Sequence, residues 1–151
     1  MIQRIQTVFL LIAAIATIFL IITPLVNYKE VLTDSNIQVY VLFTKINNNQ
    51  IIYSPINIVL LIIILIIPIA NIFFYRNRKL QIKLCYLNVV LTVFLVMLIS
   101  YKLHKLNESS YNNWQVQLGI ALFSINIISV LLAKHFIEKD QKLIESSNRL
   151  R

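Results

Sequence analysis

Apolar residues run along this chain in four long blocks, each close to the roughly 20 residues that cross about 30 Å of hydrocarbon at 1.5 Å per residue. The blocks are Val8 to Val26, Pro55 to Phe74, Leu84 to Tyr101 and Trp114 to Ala133. They predict four transmembrane helices. The second block, INIVLLIIILIIPIANIFF, is dense in Ile, Leu, Val and Phe. At roughly −0.3 to −0.6 kcal/mol each, these residues sum to an insertion energy on the order of −5 kcal/mol, enough to outweigh its two Asn. The first block follows Arg4 and contains Ala14, Ile15, Ala16, a small-x-small triplet of the kind that precedes signal cleavage. Its apolar run continues through Ile22, past the length of a signal core, so an uncleaved helix is expected.

Between the first two blocks the period changes. IQVYVLFT alternates Ile37, Val39, Val41 and Phe43 against Gln38, Tyr40, Leu42 and Thr44, which is strand periodicity. Asn47, Asn48 and Asn49 bring turn chemistry and QIIY follows, so a short β-hairpin is expected in the first extracytoplasmic loop. After the fourth block, HFIEKDQKLIESSNRLR places Phe136, Leu143 and Leu150 seven apart and pairs Glu138 with Lys142 and Glu145 with Arg149 at i, i+4. That pattern predicts a helix in the tail, residues 134–151. The expected fold is an all-α membrane protein, an antiparallel four-transmembrane-helix bundle with that hairpin, in one domain over residues 1–151.

Charge sets the direction of the helices. Ten of the fourteen Lys and Arg fall on one side: Arg4, then Arg76, Arg78, Lys79 and Lys83 between the second and third blocks, then Lys134, Lys139, Lys142, Arg149 and Arg151. Lys29, Lys45, Lys102 and Lys105 fall on the other. The positive-inside rule places both termini and the middle loop in the cytoplasm. Tyr28, Tyr53, Tyr75, Tyr101, Tyr111 and Trp114 lie near the block edges, where an aromatic ring buries its body and keeps its polar tip wet. The formal charge of +8 therefore reads as topology and contact with anionic lipid, through Arg4, Arg76, Arg78, Lys79, Lys83, Arg149 and Arg151, and not as nucleic-acid binding. Arg4 shares a side and depth with the tail, so a contact with Glu138 or Asp140 is expected.

The apolar blocks contain no Asp, Glu, Lys or Arg. Proton-coupled transport and charge-based ion pathways use intramembrane ionisable groups, so both are disfavoured. What remains is amide and hydroxyl chemistry at helical spacing. The second predicted helix carries Asn57 and Asn71 with Pro68 close to the same face, and the third, extended back over its flank, carries Gln81, Cys85, Asn88 and Thr92. The fourth helix carries Gly119, Asn126, Ser129 and Ala133, and the first, with its N-terminal flank, offers Gln6, Ala13 and Thr17. These faces are expected to turn inward, with Asn71, Asn88, Thr92, Asn126 and Ser129 as interior polar residues bonding across helices.

No catalytic constellation is visible. Cys85 is the single cysteine and, in apolar context, behaves as a small hydrophobe without a resolving partner. His135 and Glu138 give two ligands, which do not close a metal site. The serines have no paired base. No enzyme activity, metal or cofactor is expected. The leading reading is an accessory, scaffolding or assembly subunit that meets membrane lipids, a membrane-protein partner or further copies of itself. The alternative is a small-solute or lipid transporter with an uncharged polar cavity around Asn71, Asn88 and Asn126.

Three segments together, MIQRIQTVFLL, FFYRNRKLQIKLC and IEKDQKLIESSNRLR, resemble the small bacterial membrane-protein family known as domain of unknown function four-two-nine-three. The resemblance covers essentially the whole chain in order. It implies a four-helix protein of the bacterial inner membrane and brings no activity with it. The chain departs from the family's terminal pattern in having Asn148 where an Asp is more usual. The distinctive residues, Gln3, Arg4 and Gln6, then Arg78, Lys79 and Gln81, then Asp140, Arg149 and Arg151, all fall on the side assigned to the cytoplasm.

Overall fold

The computed structural model describes residues 2–29, 36–46, 50–75, 77–107 and 113–149. In chain order the elements are α1 (Ile2–Ile22), β1 (Val26–Lys29), β2 (Asn36–Val39), β3 (Phe43–Ile46), β4 (Gln50–Tyr53), α2 (Pro55–Phe73), α3 (Arg78–Asn107), β5 (Asn113–Val116) and α4 (Gly119–Arg149). All four helices are long and apolar enough to cross a membrane.

Helix boundaries follow from local chemistry. α1 stops at Ile22 because Pro24 disfavours helical geometry at the residue before it. The Thr23 amide and hydroxyl both donate to Phe19 O, at 3.0 and 2.9 Å. The apolar block expected to end at Val26 therefore ends earlier, and Val26 opens a strand. α2 begins on Pro55, whose missing N–H costs nothing at a first helical position. α3 and α4, at 30 and 31 residues, are about 45 Å long and overrun a bilayer core of about 30 Å. α4 absorbs the tail, where a helix was expected.

The helices pack in a ring, with their main contacts between α1 and each of α2 and α4, and between α3 and each of α2 and α4. Residue pairs run in opposite senses between α1 and α4 and between α2 and α3. Ala13 meets Asn126 while Gln6 meets Phe136, and Ile64 meets Asn88 while Asn71 meets Gln81. Outward positions such as Val8, Ile15, Ile66, Val90 and Ile128 are exposed, whereas Gln6, Thr17, Asn71, Asn88 and Asn126 are buried. Apolar outside and polar inside is the arrangement expected when lipid, not water, is the solvent.

One end of the helices carries a five-stranded antiparallel sheet in the order β4-β3-β2-β1-β5. The expected hairpin is there as β3 and β4, with Ile46 opposite Gln50; its Asn47–Asn49 connection lies outside the described residues. The sheet goes further than the sequence pattern indicates. IQVYVLFT is not one strand but two, folded back at Tyr40 to Leu42 so that Val39 pairs with Thr44. The Tyr40 amide donates to Phe43 O at 2.9 Å, and the two rings stack at 4.5 Å. Nor do Trp114, Gln115 and Val116 begin the fourth helix: they form β5, paired with β1. The inner face of the sheet, including Tyr28, Ile37 and Val39, and Val41 of the turn between β2 and β3 pack on Leu20, Leu61, Leu95, Ile99 and Phe123. A second cluster at the other end joins Leu10, Ala13, Cys85, Val130, Ala133 and Ile137.

α4 starts at the chain's single glycine for a steric reason. A Cβ on Gly119 would lie 2.5 Å from Pro24 O and 2.9 Å from Leu25 Cδ2, distances that no side chain tolerates. Gln117 N–H donates to Leu25 O at 3.0 Å beside it. The corner between α1 and β1 is thereby seated on the start of α4.

Candidate functional site

The interior polar residues form a belt of hydrogen bonds through all four helices. In α2, Pro68 has no N–H to give to the carbonyl four residues back, which is that of Ile64. The Asn88 amide of α3 donates to Ile64 O at 2.9 Å. Thr92, one turn on, donates to Asn88 O at 2.8 Å and shares its proton with Asn126 Oδ1 at 3.4 Å. The Asn126 amide of α4 donates to Ala13 O of α1 at 3.1 Å, where the Thr17 hydroxyl also donates, at 2.6 Å. Interhelical bonds of this kind contribute about 0.6 to 2 kcal/mol each inside a membrane.

Nearer the other end, Asn71 and Gln81 clasp α2 to α3 reciprocally. The Asn71 amide donates to Gln81 O at 3.3 Å and to Cys85 Sγ at 3.2 Å, and the Gln81 amide donates to Asn71 O at 2.9 Å. Asn71 sits in the last turn of α2, where main-chain carbonyls lack intrahelical donors, so Gln81 acts as a cap from the next helix. Asn57 does the corresponding work at the sheet, donating to Val41 O at 3.1 Å. Ser129 is buried on α4. Asn71 Oδ1 and Asn88 Oδ1 are buried without a donor. These amides are oriented by the carbonyls they serve.

At the end away from the sheet, the charges are organised by α4. Arg78 lies 3.4 Å from the Asp140 carboxylate and also donates to Asp140 O at 3.0 Å. Lys134 pairs with Glu138 at 3.4 Å, donates to the Tyr86 hydroxyl and lies over the Tyr86 ring at 4.1 Å from its centroid. Gln6 donates to Phe136 O at 3.2 Å, and Phe9 stacks on Phe136. Gln6, Thr7, Leu10, Ile72, Tyr75, Arg78 and Gln81 line a cleft of about 230 Å³. Lys79 and Lys83 stand exposed.

The structure thus gathers Gln6, Arg78, Gln81 and Asp140 at one end and holds Asn71, Asn88, Thr92 and Asn126 within the helices. Arg76 and Arg151 lie outside the described residues, as do the side chains of Arg4 and Arg149, and with them the expected Arg4 contact. Asp140 is engaged by Arg78. Glu138 turns back to Lys134, not on to Lys142. The pairing of Arg78 with Asp140 across 62 residues has no local signal; that of Lys134 with Glu138 was available as an i, i+4 spacing. Among the described residues no group of three or more His, Cys, Asp or Glu comes together.

A family model described as a domain of unknown function (DUF4293) matches residues 2–150. The chain belongs to that family. No curated protein matches it.

Proposed function

Starting from that membership, which carries no activity, we propose that the chain is a non-enzymatic accessory or assembly protein. It crosses a bacterial cytoplasmic membrane four times, keeps both termini in the cytoplasm and works through its basic cytoplasmic end. One observation carries this reading: the interior amide N–H groups of Asn71, Asn88 and Asn126 donate to main-chain carbonyls of neighbouring helices. Polar groups used this way build a frame. Cations left accessible at one end, Lys79 and Lys83 among them, are then the groups available to a partner, each contributing on the order of 1 kcal/mol near an anionic surface.

The transport alternative draws no support from the same amides. None of Asn71, Asn88 and Asn126 lines the cleft of about 230 Å³ at the basic end.

Amine-directed crosslinking in native membranes tests the proposal. The full chain should give a discrete adduct of fixed mass through Lys79 or Lys83, lost in the Lys79→Gln, Lys83→Gln double variant. The same monomer band with both proteins would overturn it.

A further inference from the structure

At the sheet end, a second cleft of about 330 Å³ opens between the start of α2 and the far end of α3, with Ser54, Pro55, Ile56, Asn57, Leu98 and Lys102 in its walls. Lysines at helix ends ordinarily turn their ammonium outward to water. Lys102 instead reaches across to α2 and donates to Ser54 Oγ at 2.9 Å. It is partly buried and meets no carboxylate among the described residues. Held against a neutral hydroxyl in an apolar wall, this cation has no counter-charge among the described residues, and removing a charge from water is costly without one.

The surroundings define what would supply that charge. Ser54 precedes α2 but makes no side-chain cap. Pro55 has no N–H, and those of Ile56 and Asn57 come before the first intrahelical bond, which Ile58 donates to Ser54 O at 3.2 Å. The positive end of α2 therefore faces the same space as the ammonium. The other wall is apolar: Ile56 is 66% exposed, and Leu98 lies one turn before Lys102, toward the lipid-facing belt. A fitting ligand has an anionic head at Lys102 and a hydrocarbon tail along Ile56 and Leu98.

We propose that this cleft holds the phosphate of a phospholipid from the outer leaflet, with an acyl chain laid on Ile56 and Leu98. The inference rests on the membrane-crossing reading and its orientation, and not on a partner binding at the basic end. Purified, delipidated full-length protein, titrated in mild detergent and examined by native mass spectrometry, tests it. With phosphatidylglycerol and with phosphatidylethanolamine, the protein should retain one lipid, and Lys102→Met should retain at least ten-fold less while Lys102→Arg keeps it. Diacylglycerol, which lacks the phosphate, should not be retained, and inorganic phosphate should not displace the phospholipid. Ile56→Glu provides a second variant at an exposed position, should Lys102→Met not fold, and should also lose the lipid. Equal retention by the wild-type protein and whichever of these variants folds would overturn the site. Binding of inorganic phosphate in place of lipid would overturn its assignment to a phospholipid. A cytoplasmic location for Gln50 would instead overturn the assignment to the outer leaflet.

Discussion

Asn88 gives α2 the hydrogen bond that Pro68 withholds. Pro68 cannot donate to Ile64 O, and the Asn88 amide does so from α3 at 2.9 Å. The relationship explains how a proline is accommodated in the middle of an apolar helix and why an asparagine sits opposite it, since a main-chain carbonyl left unpaired in hydrocarbon is costly. It also predicts coupling. Asn88→Leu should destabilise the protein by about 1 to 3 kcal/mol, the cost of stranding a buried polar group. In a Pro68→Ala background, where residue 68 recovers its N–H, the same substitution should cost less. Unfolding in mixed detergent micelles measures both, and equal costs would contradict the account.

The reciprocal clasp predicts a similar but shorter-range effect. Gln81→Leu removes the donor to Asn71 O and should cost about 1 to 3 kcal/mol. Combined with Asn71→Leu the losses should fall short of their sum, because each residue holds the other in place. Strict additivity in the same unfolding assay would show that the two amides act separately.

At Gly119 a single methyl is predicted to be disruptive. Gly119→Ala sets a Cβ within 2.5 Å of Pro24 O, so the β1 corner must move, at a cost of about 1 to 3 kcal/mol or more. Ser124→Ala, at an exposed position on the same helix, should be near neutral. Comparable melting temperatures for the two variants would refute the packing argument.

Arg78 and Asp140 make two contacts of different kinds, and the prediction separates them. Asp140→Ala removes the carboxylate but leaves the main-chain carbonyl that Arg78 also bonds at 3.0 Å. Arg78→Ala removes both, and should loosen the end of α4 more. Hydrogen exchange of residues 138–144 should rise further in Arg78→Ala than in Asp140→Ala. The opposite order would mean that the ion pair alone holds this end.

How much of this is legible in the sequence depends on the range of the interaction. Four apolar blocks announce four helices because bilayer thickness imposes one length on each. The polar stripes announce themselves by helical spacing. The sheet does not. The turn at Tyr40 to Leu42 contains no Gly, Pro, Asn or Asp, so nothing interrupts the alternation of IQVYVLFT. β5 runs into the start of the fourth block, and only its pairing with β1, more than 80 residues earlier, takes it out of the helix. Which carbonyl each asparagine serves is equally non-local. Pro68 marks where one is missing, and the antiparallel packing of α3 decides that Asn88 fills it.

The sheet end and the basic end are expected to lie on opposite sides of the membrane, the basic end in the cytoplasm, and labelling from one side measures this directly. The one native thiol, Cys85, is buried, so a Cys85→Ala background gives a clean start for labelling with a membrane-impermeant maleimide. In intact spheroplasts, Gln50→Cys should label and Lys139→Cys should label only after permeabilisation. Labelling of Lys139→Cys from outside, with Gln50→Cys protected, would contradict the account.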